Sequence, residues 1–156
     1  SDDLRSCQGT IHARVDGHAS DKVRFALRTS DGEVVCEAVC EVDIAGLAKT
    51  AFLLREVSLW YPRGYGDQYR YSLDAELITG AVAVHLMTKN ISFRRAELIQ
   101  EADSHGKSFY FRVNGVDIFA GGSCWIPADN FIPRLSVNKY RSWLTLMIEG
   151  NQIMVR

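Results

Sequence analysis

From Tyr69 to Leu77 every second residue is apolar: Tyr69, Tyr71, Leu73, Ala75 and Leu77 alternate with Arg70, Ser72, Asp74 and Glu76. A period of two sends one set of side chains to a core and the other to water, which describes a half-buried strand in an antiparallel sheet. The same signal recurs along the first two-thirds of the chain. Ile11, Ala13 and Val15 alternate with Thr10, His12 and Arg14, and Val23, Phe25 and Leu27 with Arg24, Ala26 and Arg28. Ser30-Asp31-Gly32 then reads as a hairpin turn, and the return strand sets Val34, Cys36, Ala38, Cys40 and Val42 on one face. Weaker strand signals cover Thr50–Leu54, Val82–Leu86 and Phe93–Ile99, with the Pro/Gly-punctuated aromatic loop Trp60–Gly66 among them. About seven short strands at this spacing predict a two-sheet antiparallel sandwich of immunoglobulin type over residues 1–105.

A chain of 156 residues suits one domain, or one small domain with a piece of another. Lys and Arg total 18 against 19 Asp and Glu, and this balance argues against a nucleic-acid binder, which carries a clustered basic excess. The 16 aromatic residues (three Trp, six Tyr, seven Phe) supply a globular core. No run approaches the roughly 18 apolar residues that a membrane span needs, so no membrane partner is expected. The opening Ser-Asp-Asp-Leu-Arg is polar and lacks an initiator Met, which reads as a mature product or an excised fragment. Of the cysteines at 7, 36, 40 and 124, only Cys36 and Cys40 are close. Four strand residues span roughly 13 Å, whereas a disulfide needs Cα atoms within about 7 Å. Four reduced, mostly buried thiols are expected, and with them a cytoplasmic location, secretion being the alternative. The four His have no second ligand at useful spacing, so neither a metal nor another cofactor is expected.

After about residue 105 the pattern changes. Ser108–Val113, Asn114-Gly115 and Val116–Ala120 read as a hairpin about a type I′ turn. Gly121-Gly122-Ser123-Cys124-Trp125 follows, and then Val137, Tyr140, Trp143 (or Leu144), Met147 and Ile148 recur at helical spacing. Ser136 is the expected N-cap and Gly150 the stop, with a buried strand at Gln152–Val155. Strand, helix and strand make a βαβ unit whose other faces stay uncovered, so residues 106–156 read as an incomplete domain. Exposed apolar faces on the helix and last strand are the expected consequence.

Several of these segments together resemble glycoside hydrolase family 2. They are Leu59-Trp60-Tyr61-Pro62-Arg63-Gly64-Tyr65-Gly66-Asp67-Gln68, Phe93–Leu98, Phe109–Gly115, Gly122–Phe131, Glu149–Gln152 and Arg156. The stretch Ser-Cys-Trp-Ile-Pro-Ala-Asp at 123–129 is similar to the β-mannosidase branch, and to its fungal members in particular. Ser92 and Cys124 depart from the family pattern, which has Gly and Asn at those places.

The resemblance implies that 106–156 is the start of a (β/α)8 catalytic barrel and that the parent removes terminal β-D-mannose from oligosaccharides. Two Glu residues of later barrel strands would do the chemistry, so no catalytic residue is expected in this chain, and the isolated fragment is expected to be inactive. Missing jelly-roll and barrel domains would pack against it. The alternatives are a β-galactosidase or β-glucuronidase of the same family, or a non-catalytic carbohydrate-binding or structural sandwich module. By the same resemblance Arg156 would sit beside the nucleophile. Trp125, ending the first barrel strand, either walls the sugar site or packs in a core. Asp129 either bonds sugar hydroxyls or caps its own turn. Glu149, at the helix end, is not a credible general acid.

Overall fold

The computed structural model describes residues 3–16 and 21–156. It is mainly β, with one α-helix, and its residues gather into two compact units. The first takes the chain up to Tyr61 and then Gly66–Arg95, and the second takes Pro62–Tyr65 and Ala96–Arg156.

In the first unit β1 (Cys7–Arg14) pairs antiparallel with β4 (Leu47–Leu54). The strands β2 (Lys22–Arg28), β3 (Val34–Glu41), β5 (Tyr71–Thr79) and β6 (Val82–Ile91) form an antiparallel sheet in the order β3-β2-β5-β6. Between the two sheets lies the core that the alternation foretells. Val23, Phe25, Val42, Ala48 and Ala75 are buried together, with Ile11, Ala13, Cys40 and Leu73 packed on them. A second cluster joins Leu27, Leu54 and Tyr71 to Phe52, Val57 and Phe93. Tyr71 meets the rings of Tyr69 and Phe93 edge-on, and its hydroxyl accepts the Ser58 N–H at 2.8 Å, so a buried phenol keeps its polar tip satisfied.

On the outer face of β2 the alternation misleads at Ala26, which is 7% exposed. Arg24 stands opposite Glu76 and bonds it through Nε at 2.9 Å, and Arg28 bonds Asp74 at 3.0 Å. Those long side chains lie along the sheet and cover the small residue between them, as charged stems do on apolar ground. The Asp74 carboxyl is held below the usual carboxylate range, first by the Thr88 hydroxyl and then by Arg28. Beyond β5, residues Val82 to Asn90 of edge strand β6 are all exposed.

The second unit corrects the expectation for Phe93–Ile99. That run does not close the sandwich as one strand. Phe93 bridges to Leu59 in the first unit, while β7 (Ala96–Ile99) pairs with β10 (Tyr110–Val113) in the second. A short hairpin of β8 (Ala102–Asp103) and β9 (Gly106–Lys107) lies between them in sequence. Strand β10 turns into β11 (Val116–Ile118) through Asn114 and Gly115, at φ 51° and 80°, the pair of positive values that a type I′ turn demands. Next come β12 (Gly122–Ser123), a 3₁₀ turn at Ile132–Arg134, α1 (Val137–Glu149) and β13 (Met154–Val155), which pairs parallel to β12. No residue of α1 is buried: Val137, Leu146 and Ile148 are 72%, 65% and 48% exposed. Among the described residues no helix is long and apolar enough to cross a membrane.

The thiols differ from expectation in burial, since none of them is fully buried. Cys7, Cys36 and Cys40 are half-buried, Cys124 is exposed, and all four are unpaired.

Leu27 is 1% exposed and sits where the two sheets meet, whereas Val39 on neighbouring β3 is 52% exposed. Leu27→Ala is expected to lower the unfolding free energy by about 3 kcal/mol, through lost transfer energy and the cavity left behind. Val39→Ala should change it by less than about 0.5 kcal/mol. Urea unfolding of the two variants side by side checks the difference.

Candidate functional site

The residues singled out by sequence gather at one end of the β12–α1–β13 unit, and main-chain bonds put two of them side by side. The Trp125 N–H donates to the Arg156 carbonyl at 2.6 Å, and the Arg156 N–H donates to the Ser123 carbonyl at 3.1 Å. Upstream, the Ile153 N–H donates to the Gly121 carbonyl at 2.9 Å, and Ser123 Oγ lies 2.7 Å from Gln152 Oε1. Parallel strands this short hold register only if their backbones meet closely, and the sequence meets that need with Gly122. A Cβ there would stand 1.8 Å from the Met154 carbonyl oxygen.

Trp125 is half-buried, and it is the helix that covers it. Its ring stacks on Tyr140 at 5.8 Å between centroids and 18° between planes, and it meets Trp143 edge-on at 5.8 Å. These helix residues stand three apart, on the one face that a 3.6-residue period presents. The helix begins where the sequence says it should: Ser136 accepts the Lys139 N–H through its side chain at 3.2 Å, and Gly150 ends it.

Asp129 is enclosed by protein partners. Its Oδ1 accepts the Phe131 N–H at 2.9 Å, and its Oδ2 accepts from Lys139 Nζ at 3.2 Å and from both Nε and Nη2 of Arg134. The side chain is only 10% exposed. The Phe131 amide, followed by Lys139 and Arg134, holds its carboxyl below the usual carboxylate range. Sequence reasoning missed Lys139, Arg134 and Tyr140 as its neighbours and those of Trp125. The signal was present in the basic residues just after Asp129 and in the aromatic pair at helical spacing.

The aromatic loop contributes as well. Within the second unit Tyr65 Oη accepts the Phe119 N–H at 3.0 Å, and Arg63 reaches Asn151 Oδ1 at 3.5 Å. Trp60, in the first unit, carries the Arg94 guanidinium over its ring at 4.6 Å. Glu149 is exposed at the helix end. Among the described residues no group of three or more His, Cys, Asp or Glu could hold a metal ion.

Two outcomes test this geometry. Gly122→Ala should break the β12–β13 pairing, because its methyl has nowhere to go but into a backbone carbonyl; faster hydrogen exchange at the Trp125 and Ile153 amides reports it. For Asp129 the folded carboxyl titrates below its unfolded value of about 3.9. Its contribution is therefore full above that pH and is lost as pH falls through the lower folded value. Asp129→Asn should flatten the acid-side decline in the stability of the 124–136 loop, followed by tryptophan fluorescence between neutral pH and strong acid.

No family model matches the chain. Curated proteins do. The chain is 47% identical over 155 residues to beta-mannosidase B of Aspergillus terreus, a match covering 99% of this chain. It is 46% identical over 156 residues to beta-mannosidase B of Aspergillus clavatus. In both cases it spans 18% of the relative's length. Among solved structures, the beta-D-mannosidase of Dictyoglomus thermophilum superposes with a TM-score of 0.82 at 28% identity, over 97% of this chain and 19% of that one. A putative beta-galactosidase from Bacteroides fragilis, 17% identical, shares the fold with a TM-score of 0.78 over 97% of this chain and 23% of its own. From end to end, the 156 residues are homologous to one segment, about a fifth of the length, of the beta-mannosidase B proteins.

Proposed function

We propose that this chain is a segment of a retaining family 2 glycoside hydrolase that removes terminal β-D-mannose from the non-reducing ends of oligosaccharides. The observation that carries the reading is the match to beta-mannosidase B proteins over virtually the whole chain. In this reading residues 1–105 form an immunoglobulin-like sandwich that braces the enzyme, and 106–156 open its (β/α)8 barrel. The parallel β12–α1–β13 arrangement supports the second part. The unpaired thiols support a reducing compartment.

The chemistry follows the two-carboxylate scheme. One Glu protonates the leaving oxygen while another, about 5 Å away, attacks the anomeric carbon, and water then releases the sugar. Both lie outside these residues. What this segment supplies is surroundings. Trp125 walls the sugar site at the C-terminal end of the first barrel strand, where barrel enzymes build their sites. Arg156, one strand along, stands beside the nucleophile, and its positive charge keeps that carboxylate ionised. Asp129 belongs to the same rim. A β-galactosidase or β-glucuronidase is the weaker reading, because solved structures of those kinds share the fold at 16–18% identity.

The test is hydrolysis of an aryl β-mannoside, with β-galactoside and β-glucuronide controls, by the full-length protein carrying this segment and by the 156 residues alone. Turnover by the full-length protein only, and of the mannoside only, is the expected result. Turnover by the 156-residue chain would put the catalytic pair inside it and overturn the reading.

A further inference from the structure

Both side chains placed at the rim of the sugar site end on the first turn of α1. Trp125 lies flat on Tyr140 at 18°, and Asp129 Oδ2 meets Lys139 Nζ at 3.2 Å. The two helix residues are adjacent in sequence and receive two side chains of one loop, four residues apart. Beside those anchors Ile126 and Phe131 are 77% and 64% exposed, so the loop has little apolar burial of its own to hold it. The main-chain bond from Trp125 to Arg156 fixes where the tryptophan's backbone sits. It leaves the indole free to turn about χ1 and χ2. Among the described residues, the ring contacts that select one orientation are the stack on Tyr140 and the edge contact with Trp143. Asp129, with its Oδ1 on the Phe131 amide and its Oδ2 on Lys139 and Arg134, has both oxygens bonded by the protein, which makes it a clamp.

We infer that Tyr140 and Lys139 are positioning residues of the sugar site: Tyr140 sets the face that Trp125 presents, and Lys139, through Asp129, pins the 124–136 loop that carries it. This rests on the reading of Trp125 as a wall of that site. An aromatic platform helps only if its plane is fixed before the sugar arrives, since a misplacement of ~1 Å can cost on the order of a hundredfold in rate. Neither helix residue touches substrate in this scheme.

The experiment uses the full-length protein and measures kcat and KM for an aryl β-mannoside well below the melting temperature of each variant. Tyr140→Ala is expected to lower kcat/KM roughly tenfold, mostly through KM, while Tyr140→Phe, which keeps the ring, stays within about twofold of the unaltered protein. Trp125→Ala should cost at least as much, and the Trp125/Tyr140 double alanine no more than Trp125→Ala alone, because one residue acts through the other. Lys139→Met should raise KM in the same direction. Should Tyr140→Ala fail to fold, Tyr140→Leu keeps the bulk without the flat face and answers the same question. A lower melting temperature with unchanged KM in Tyr140→Ala or Tyr140→Leu, alongside an impaired Trp125→Ala, would overturn the positioning role and leave the sugar-site reading standing. An unimpaired Trp125→Ala would remove the reading itself, and this inference with it.

Discussion

The parallel contact between two very short strands, β12 and β13, is what the candidate site depends on. It consists of a few main-chain hydrogen bonds, and it closes only because Gly122 lets the Met154 carbonyl approach where any other residue would place a Cβ. From that contact the neighbourhood of Trp125 and Arg156 follows without any side-chain interaction between them. Side chains enter one step later, when the returning helix lays Tyr140 and Trp143 against the indole. Backbone pairing sets position, and aromatic packing sets orientation. The two are separable because different residues carry them.

Much of this was legible in the sequence where a single periodicity decided the outcome. The alternation at Val23, Phe25 and Leu27, and again at Tyr71, Leu73 and Ala75, named the core face strand by strand, because a sheet with one face in water leaves little freedom of register. Ser136 and Gly150 bounded the helix correctly, since caps answer the backbone's own unmet hydrogen bonds. What stayed hidden were relations between segments. The run Phe93–Ile99 reads as one strand, yet its two ends pair with different partners, and the Arg94-Arg95 doublet that interrupts its alternation is the one local sign of the change. Ala26 looked outward by pattern and is covered by Arg24 and Arg28, whose reach a two-letter code of apolar and polar cannot express. Asp129 was ambiguous for the same reason: its role is set by residues five and ten positions later in the chain, folded back onto it.

The two units also meet their stabilisation needs differently. In the first, the two sheets enclose a shared core, and its polar face is tied by cross-strand ion pairs, Arg24 with the directly opposed Glu76 and Arg28 with the diagonal Asp74. In the second, the helix has no buried residue. A helix of this length is marginal in water by itself, so its two caps and the Trp125 contact carry unusual weight. Parallel strands are covered on both faces in complete α/β domains. On the proposed reading the remaining strands and helices of the barrel supply that cover, and the exposed Val137, Leu146 and Ile148 are surfaces that meet them rather than water.

A division of labour follows for the 124–136 loop. An apolar loop that relied on burial for its shape would change shape with whatever packed against it. This one is fixed instead by a stack and a multiply bonded carboxylate, both made within its own βα unit. Directional contacts of that kind survive a change in the surrounding packing better than area-proportional ones, because their geometry is specified by the partner atoms themselves. Ile126 and Phe131 can then remain exposed without loosening the loop, and on the proposed reading they are free to be covered by substrate or by another part of the protein. A site that must hold its geometry while exchanging its contents gains from that separation: the residues that shape it are not the residues its ligand displaces.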